Sequence, residues 1–240
     1  MDPIGLSESQ PSTNLTTPRT RLLSEVTTIQ YLERNTRFPV PHTQFYGRDA
    51  KLTKTGAGMQ MFIVTDFILG KPLDQKLLIK AKEEHRRKFY SQLIDILAEL
   101  RKLEFPSIGS LMPAPDGSPQ PVVGPILSMS AASLHLSPHP TLTSAKNYMK
   151  YQFSLVSGHF VEAFSDVTVD DIRQELFAIH GMERIFDQAI DPQLDKNPFI
   201  LNHLDLRGAN TIVDEDMQVQ GKIDWEFTST IPRQVFTPPS

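Results

Sequence analysis

The chain has 240 residues, of which 39% are hydrophobic and 22% are charged, a composition that predicts a globular protein with one sizeable core or two small lobes. Its formal net charge of -4, without a long basic run, argues against nucleic-acid binding driven by bulk electrostatics. The sequence has no cysteine, which excludes disulfides and thiolate metal sites, and no apolar stretch approaches the roughly 20 residues of a membrane-spanning helix.

The N-terminal part of the chain predicts a disordered segment followed by a helix. Residues 1–19 are rich in Ser, Thr and Pro and lack the apolar core of a secretory signal, so we expect a disordered N-terminus and a cytoplasmic protein. Residues 21–35 place Val26 and Ile29 on one face of a helix. This helix must end before Pro39, because proline disfavours helical geometry in the residue that precedes it.

The next part of the chain predicts a hairpin and then a long helix. Polar and apolar runs predict a short strand over 43–46, a polar hairpin loop over 51–58 and a buried strand over 59–67. A break over 69–73 and an amphipathic helix over 81–104 follow. We expect the apolar stripe of the long helix to lie in the core and its charged face to lie in solvent.

The remaining chain predicts a long irregular segment, two helices and three short strands. Eight prolines make residues 106–140 irregular, a length that is unusual inside a compact domain. Helical and apolar patterns then predict helices over 145–157 and 169–189, strands over 199–202, 211–214 and 219–223, and a Pro-containing tail over 231–240.

The segment that carries candidate chemistry contains His203-x-Asp205, then Asn210, and later Asp224-Trp225-Glu226. Asp205 follows one predicted strand and Asn210 precedes the next. A hairpin of the last two strands would bring Asp224 back beside Asn210. Two carboxylates and one amide would then converge, and such hard oxygen ligands suit Mg²⁺. Phosphoryl transfer needs a positioned nucleophile, an aspartate and a metal that neutralises phosphate charge.

These motifs resemble those of the phosphotransferase enzyme family, which includes aminoglycoside phosphotransferases and choline kinases. The family pattern is His-Gly-Asp, four residues, Asn, and later Ile-Asp-Trp-Glu; this chain has His-Leu-Asp at 203–205, Asn210, and Ile-Asp-Trp-Glu at 223–226. The chain is most similar to the large fungal branch of the family. Segments typical of that branch are Pro-Val-Pro at 39–41, Gly-Lys-Pro-Leu at 70–73 and Ile-Gly-Ser-Leu at 108–111.

The resemblance implies an α+β, protein-kinase-like fold with two lobes and a requirement for ATP and Mg²⁺. Residues 20–73 would form a reduced N-lobe and residues 74–240 a C-lobe that holds the catalytic loop and the metal-binding aspartate. The partners would be a nucleotide and a small molecule with a hydroxyl or amine group. The resemblance does not identify that acceptor.

The resemblance also implies roles for individual residues. Asp205 would be catalytic and would accept or orient the proton of the substrate hydroxyl. Asn210 and Asp224 would hold Mg²⁺ and the nucleotide phosphates, and His203 would brace the loop. Glu25 would take the place of the helix glutamate that pairs with the phosphate-binding lysine. The hinge that meets the adenine would consist of three consecutive residues, namely Asp66, Phe67 and Ile68.

The chain departs from the family pattern at three places. No Gly-x-Gly precedes the first helix and no lysine precedes Lys51, so the Gly-rich loop and the lysine strand are missing. The chain stops soon after Glu226, where the family continues with further C-lobe helices. Leu204 replaces the usual glycine. These departures predict a chain that is truncated at both ends, with weak or no kinase activity. Without its lysine, Glu25 is expected to be an ordinary solvated carboxylate.

Three functions stay open from the sequence alone. The first is an ATP-dependent transferase, the second is a catalytically dead kinase-like binding module, and the third is a metal-dependent hydrolase that uses the same carboxylates. Asp205, Asn210 and Asp224 could also each serve only as loop caps, since Asp and Asn commonly form turns. Their order and spacing as a set favour the kinase-like functions. Trp225 is interpreted as a packing residue.

Overall fold

The structure is a computed structural model that describes residues 18–50, 60–162, 168–196 and 198–236. The predicted loop at 51–58 lies outside the described residues, as does the predicted disordered segment except for its last two residues, which are helical. Six α-helices lie in the described part of the chain: α1 (Pro18–Asn35), α2 (Gln75–Lys80), α3 (Glu83–Leu100), α4 (Met129–Ser133), α5 (Ala145–Glu162) and α6 (Val169–Ala189).

Short antiparallel strands form the rest of the regular structure. The described strands are β1 (Thr43–Ala50), β2 (Gln60–Thr65), β3 (Lys71–Pro72), β4 (Glu104–Phe105), β5 (Leu111–Met112), β6 (Val122–Val123), β7 (Phe199–Asn202), β8 (Thr211–Val213), β9 (Val219–Lys222) and β10 (Ser229–Pro232). They pair in four small sheets with the strand orders β1-β2, β10-β7-β4, β3-β8-β9 and β5-β6.

Helix α1 forms where the apolar spacing predicts it and buries the expected face. Val26, Ile29 and Leu32 are almost fully buried, because residues three apart lie on the same side of a helix. The helix contacts β1, β2 and β5, so it lies between the first hairpin and the irregular segment that precedes α5. It ends at Asn35, before Pro39, as predicted.

The predicted long helix over 81–104 corresponds to α3, which is shorter, and a separate short helix, α2, precedes it. Asp74 caps α2 by accepting a hydrogen bond from the backbone N–H of Lys76 at 2.8 Å, and the backbone is extended at Ala81 and Lys82. Those two extended residues interrupt the helical hydrogen bonds, so α3 begins only at Glu83. The stripe of α3 lies in the core as predicted, through its buried residues Phe89, Ile96, Leu97 and Leu100.

The first residues of the predicted Pro-containing tail, 231 and 232, belong to a strand in the structure. Residues 229–232 form β10, which pairs with β7 along its whole length, and all four are buried. Pro232 is compatible with this strand because β10 lies at the edge of its sheet, where a missing N–H is tolerated. Thr230 adds a side-chain contact, since its hydroxyl donates to the carbonyl of Ser107 at 2.7 Å.

The α+β class predicted from the sequence is confirmed, with helices and small antiparallel sheets in one chain. The structure brings the strands that flank the candidate motifs together: β7 leads into the His203 loop, and β8 and β9 form the hairpin that ends before Asp224. The lobe boundary near residue 73 stays a prediction. Within the described residues, no helix combines the length and the apolar character needed to cross a membrane.

Candidate active site

His203 ties the two halves of the site together. Its side chain is buried, its Nδ1 accepts a hydrogen bond from the backbone N–H of Asp205 at 3.2 Å, and its Nε2 donates to the carbonyl of Ile223 at 3.0 Å. Burial lowers the pKa of His203, which favours the neutral ring that this pattern of one acceptor and one donor requires. His203 therefore connects the loop of Asp205 to the residue that precedes Asp224.

Asn210 is the meeting point of the predicted site residues. Its buried side-chain Nδ2 donates to the Asp205 carboxylate at 3.0 Å, to the Asp205 carbonyl at 3.0 Å and to the Asp224 carboxylate at 3.3 Å. The backbone carbonyl of Asn210 also accepts from the N–H of Ile223 at 3.1 Å. The structure thus brings Asp205, Asn210 and Asp224 together, as the hairpin argument predicts.

The backbone at Asp224 is held in an uncommon conformation. Its φ is 63°, in the left-handed region that costs energy for residues other than glycine, although Asp tolerates this region better than most. The following Trp225 fixes the loop, because it is 1% exposed and its Nε1 donates to the carbonyl of Lys222 at 2.9 Å. Such strain persists only where the surroundings impose it, and it is often found at functional sites.

Arg207 lies beside the predicted catalytic carboxylate. One of its terminal guanidinium nitrogens is 2.9 Å from Asp205 Oδ2, and 68% of its side chain is exposed. An exposed pair of this kind contributes little to stability. The pair does place the positive charge of Arg207 beside the Asp205 carboxylate. The sequence analysis gave Arg207 no role, although its position two residues after Asp205 was a usable signal.

Glu25 is not the solvated carboxylate that the sequence analysis expects. Burial, together with the neighbouring carboxylates of Glu226 and Asp224, raises the pKa of Glu25 to about 7. Helix α1 therefore places its glutamate beside the candidate metal-binding loop. Arg21, one turn earlier, pairs with Glu226 at 3.0 Å and lies over the ring of Phe227 at 5.6 Å.

The raised pKa of Glu25 predicts a specific dependence of stability on pH. Below about pH 4.5, its ordinary value, Glu25 is protonated in both the folded and the unfolded chain. Between pH 4.5 and about 7 the unfolded chain loses the proton first, so this residue lowers stability as pH rises. We expect Glu25→Gln to be more stable than the parent above pH 7, by about 1–3 kcal/mol.

Denaturant unfolding at pH 4 and pH 8 measures this effect. The gain from the substitution should be small at pH 4 and should reach its full size at pH 8. Glu33→Gln is a suitable control, because Glu33 lies on the same helix and its carboxylate contacts only the exposed His42. An equal effect of Glu25→Gln at both pH values would contradict the buried, carboxylate-flanked position of Glu25.

The three predicted hinge residues differ in their surroundings. The backbone N–H of Asp66 donates to the carbonyl of His42 at 2.9 Å, which continues the pairing of the first hairpin. The side chain of Phe67 is 84% exposed. Ile68 packs closely against Gly221 of β9. A Cβ added at Gly221 would lie 2.4 Å from the Cδ1 of Ile68. This contact connects the hinge segment to the hairpin that leads into Asp224.

The donor set fits a magnesium ion that shares its ligands with phosphate groups. Asp224 offers a carboxylate and Asn210 an amide oxygen, and both are hard ligands. The described residues contain no cluster of three or more His, Asp or Glu side chains arranged to hold a metal. A site of this kind suits Mg²⁺, which usually takes one or two carboxylates from the protein and completes its shell with water and phosphate oxygens.

A buried lysine lies directly behind the site. Lys222 is 1% exposed, and burial lowers its pKa to about 8. Its ammonium group donates to the hydroxyl of Thr211 across the β8–β9 hairpin. The sequence analysis missed this residue. The available signal was a lysine inside a predicted strand, two residues before Asp224.

Comparison with known proteins agrees with this geometry. The family model of the phosphotransferase enzyme family matches residues 13–235. The chain is 27% identical over 217 residues to Clavilactone A biosynthesis cluster protein Y from Ampulloclitocybe clavipes, an alignment that covers 87% of this chain and 50% of the relative. The chain thus spans about half the length of that relative. The family recognised from the two motifs is confirmed, and the chain belongs to the phosphotransferase enzyme family.

Proposed function

We propose that this chain carries the active site of an ATP- and Mg²⁺-dependent phosphotransferase of the aminoglycoside phosphotransferase type. The acceptor is a hydroxyl or amine group of a small molecule. One observation carries this proposal: the side-chain amide of Asn210 contacts the carboxylates of both Asp205 and Asp224, at 3.0 and 3.3 Å. In that arrangement the proposed proton acceptor lies next to the proposed metal-binding pair, which is the minimum that phosphoryl transfer requires.

Asp205 is the proposed catalytic residue. Its carboxylate accepts the proton of the acceptor group and orients that group toward the γ-phosphate. Asn210 fixes the rotamer of this carboxylate through two hydrogen bonds, one to the side chain and one to the carbonyl of Asp205. Arg207, 2.9 Å from Asp205 Oδ2, supplies positive charge where the transferred group is most negative.

Asn210 and Asp224 are the proposed metal-binding residues. When bound, Mg²⁺ would neutralise charge on the β- and γ-phosphates of the nucleotide. The segment from Asp66 to Ile68 is proposed to meet the adenine through its backbone groups, within an N-lobe of residues 20–73 that faces a C-lobe of residues 74–240. The contact between Ile68 and Gly221 supports this arrangement, because it brings the hinge next to the strand that precedes Asp224.

The surroundings of Glu25 favour a second candidate function, in which the chain binds a nucleotide without transferring phosphate. Within the described residues, no ion pair joins Glu25 to a lysine or arginine, and its nearest charged neighbours are the carboxylates of Glu226 and Asp224. Arg21 pairs with Glu226 instead. A glutamate without a cationic partner removes one of the elements that hold the phosphates in kinase-like sites.

A small-molecule acceptor also agrees with the printed name of the relative, which refers to a biosynthesis cluster. The name belongs to that protein, and the low identity leaves the acceptor of this chain to experiment. We therefore propose testing hydroxyl and amine compounds of several classes, rather than aminoglycosides alone.

Calorimetric titration with Mg-ATP tests the metal site. We expect Asp224→Ala to weaken Mg-ATP binding by at least about tenfold, or roughly 1.4 kcal/mol, because it removes the carboxylate that would hold the ion. Asp216→Ala is a matched control, since Asp216 is a carboxylate in the neighbouring turn whose side chain is 75% exposed. The control should bind Mg-ATP like the parent.

The outcomes of this titration separate the two candidate functions. Binding that Asp224→Ala abolishes, together with acceptor-dependent ADP release, supports the transferase. Binding without ADP release across the acceptor panel supports the second candidate. A cooperatively folded parent protein that does not bind Mg-ATP contradicts both.

A further inference from the structure

A cavity of about 340 Å³ lies on the far side of the catalytic loop, between that loop and helices α2 and α3. Its apolar lining includes three buried side chains, Leu73, Leu78 and Phe89, beside polar residues such as Gln75. This volume lies at the lower end of the range for small-molecule pockets, which usually combine apolar walls with a few polar groups. Arg207 lines this cavity as well as pairing with Asp205, whereas Asp205, Asn210 and Asp224 do not line it.

The polar end of the cavity is formed by Lys222 and Thr211, which are each 1% exposed. The Lys222 ammonium donates to the hydroxyl of Thr211, and that hydroxyl in turn donates to the carbonyl of Arg207 at 3.4 Å. An ammonium group has three N–H donors. Among the described residues, Thr211 is the hydrogen-bond partner of Lys222 and no carboxylate pairs with it.

Burying an ammonium group in this way lowers the stability of the folded chain. Buried charges in proteins are usually paired with an opposite charge, because burial removes their hydration. The lining of this cavity offers no such partner, since none of its described residues is acidic. Arg207 also lines the cavity, but its charge is already paired with Asp205. Lys222 is therefore a buried positive charge in the lining of this cavity, and among the described residues no carboxylate pairs with it.

We propose that this cavity binds a small organic monocarboxylate with an apolar body, whose carboxylate pairs with the ammonium of Lys222. The apolar body would lie against Leu73, Leu78 and Phe89, and the half-exposed Tyr90 would flank the entrance. The ligand supplies both the negative charge that Lys222 lacks and the apolar surface that the walls offer. The site shares Arg207 with the proposed active site, but its ligand is neither the nucleotide nor the phosphate acceptor.

Octanoate is a suitable probe, with octanol and octylammonium as matched ligands of the same chain length. Binding is measured by calorimetry and by the shift in melting temperature at pH 7, without nucleotide. We expect octanoate to bind at least about tenfold more tightly than octanol, because a charge-assisted hydrogen bond in a buried site is stronger than a neutral one. Octylammonium should bind more weakly than octanol.

The Lys222→Met variant tests the partner of the carboxylate. Methionine keeps an unbranched apolar side chain in place and removes the charge, so we expect the variant to melt at or above the temperature of the parent. It should lose the preference for octanoate over octanol. Lys88→Met is the control, since Lys88 is an exposed lysine on α3, and it should keep that preference.

Several results would overturn the proposal. Octanoate binding no more tightly than octanol to the parent would contradict the role of the charge, and so would an unchanged preference in Lys222→Met. Inorganic phosphate binding as tightly as octanoate would contradict the apolar body. The comparison of octanoate with octylammonium uses the parent protein alone, so it decides the matter even if the variant does not fold. All of these measurements are independent of Mg-ATP binding.

Discussion

Substitution of Asp205 by Asn should lower the rate of phosphoryl transfer by about 10²–10⁴-fold, the usual contribution of a positioned general base. Asparagine keeps the shape of the side chain and can still accept the hydrogen bond from Asn210, so the loop should keep its conformation. It cannot accept the proton of the acceptor group. Mg-ATP affinity should therefore change little, because the metal-binding pair of Asn210 and Asp224 is intact.

The measurement is steady-state ADP release with each acceptor that the parent protein uses, at saturating Mg-ATP. Glu215→Gln is the control, since Glu215 is an exposed carboxylate in the turn between β8 and β9, and its rate should equal that of the parent. Equal rates for Asp205→Asn and the parent would contradict the catalytic role of Asp205. A large loss of Mg-ATP affinity in the same variant would place Asp205 in nucleotide binding instead.

The catalytic loop was predictable because its residues are close in sequence and their spacing has a local cause. Asp205 and Asn210 lie at the two ends of one short loop between strands, so few geometries can join them. The hairpin from Thr211 to Lys222 was predictable for the same reason, since two apolar runs with a polar turn between them pair antiparallel. Together these two local features were enough to predict the approach of Asp224.

The features that the sequence did not predict depend on contacts between distant segments. Strand β10 contains a proline and follows a loop, so the sequence predicts no strand there, but pairing with β7 forms one. The environment of Glu25 is another example. An amphipathic pattern shows which face of α1 is buried, but it cannot show that Asp224 and Glu226 lie opposite that helix. Both errors arise because tertiary contacts override local propensity.

The burial of Lys222 was hard to predict for a related reason. A single lysine in a strand prediction usually indicates an exposed edge, whereas Lys222 is buried against Thr211. Its burial follows from tertiary packing, since the cavity that it lines is also lined by helices α2 and α3, which are distant in sequence. The backbone N–H of Lys222 donates to the carbonyl of Pro39 at 3.0 Å, which fixes the strand in that position.

Substitution of Trp225 by Ala should produce the largest loss of stability, about 3–5 kcal/mol, which is typical when a fully buried large aromatic side chain is truncated. Trp225 is 1% exposed, and its ring lies 4.5 Å from the ring of His203 and stacks on Phe38 at 6.0 Å. Removing it leaves a cavity and deprives the carbonyl of Lys222 of its donor. For a chain of this size the melting temperature should fall by about 10 °C.

Trp225→Phe separates the two contributions to this loss, because phenylalanine retains most of the packing but cannot donate to Lys222. We expect Trp225→Phe to lose about 1–3 kcal/mol, the cost of a buried acceptor without its donor. Phe177→Ala is the control for truncating an aromatic side chain, since Phe177 on α6 is 82% exposed and should change stability by less than about 0.5 kcal/mol. If Trp225→Ala lost no more stability than Phe177→Ala, Trp225 could not be the buried support of the Asp224 loop. Since His203 connects that loop to Asp205, a confirmed loss would also mean that folding and the proposed catalysis depend on the same packing contact.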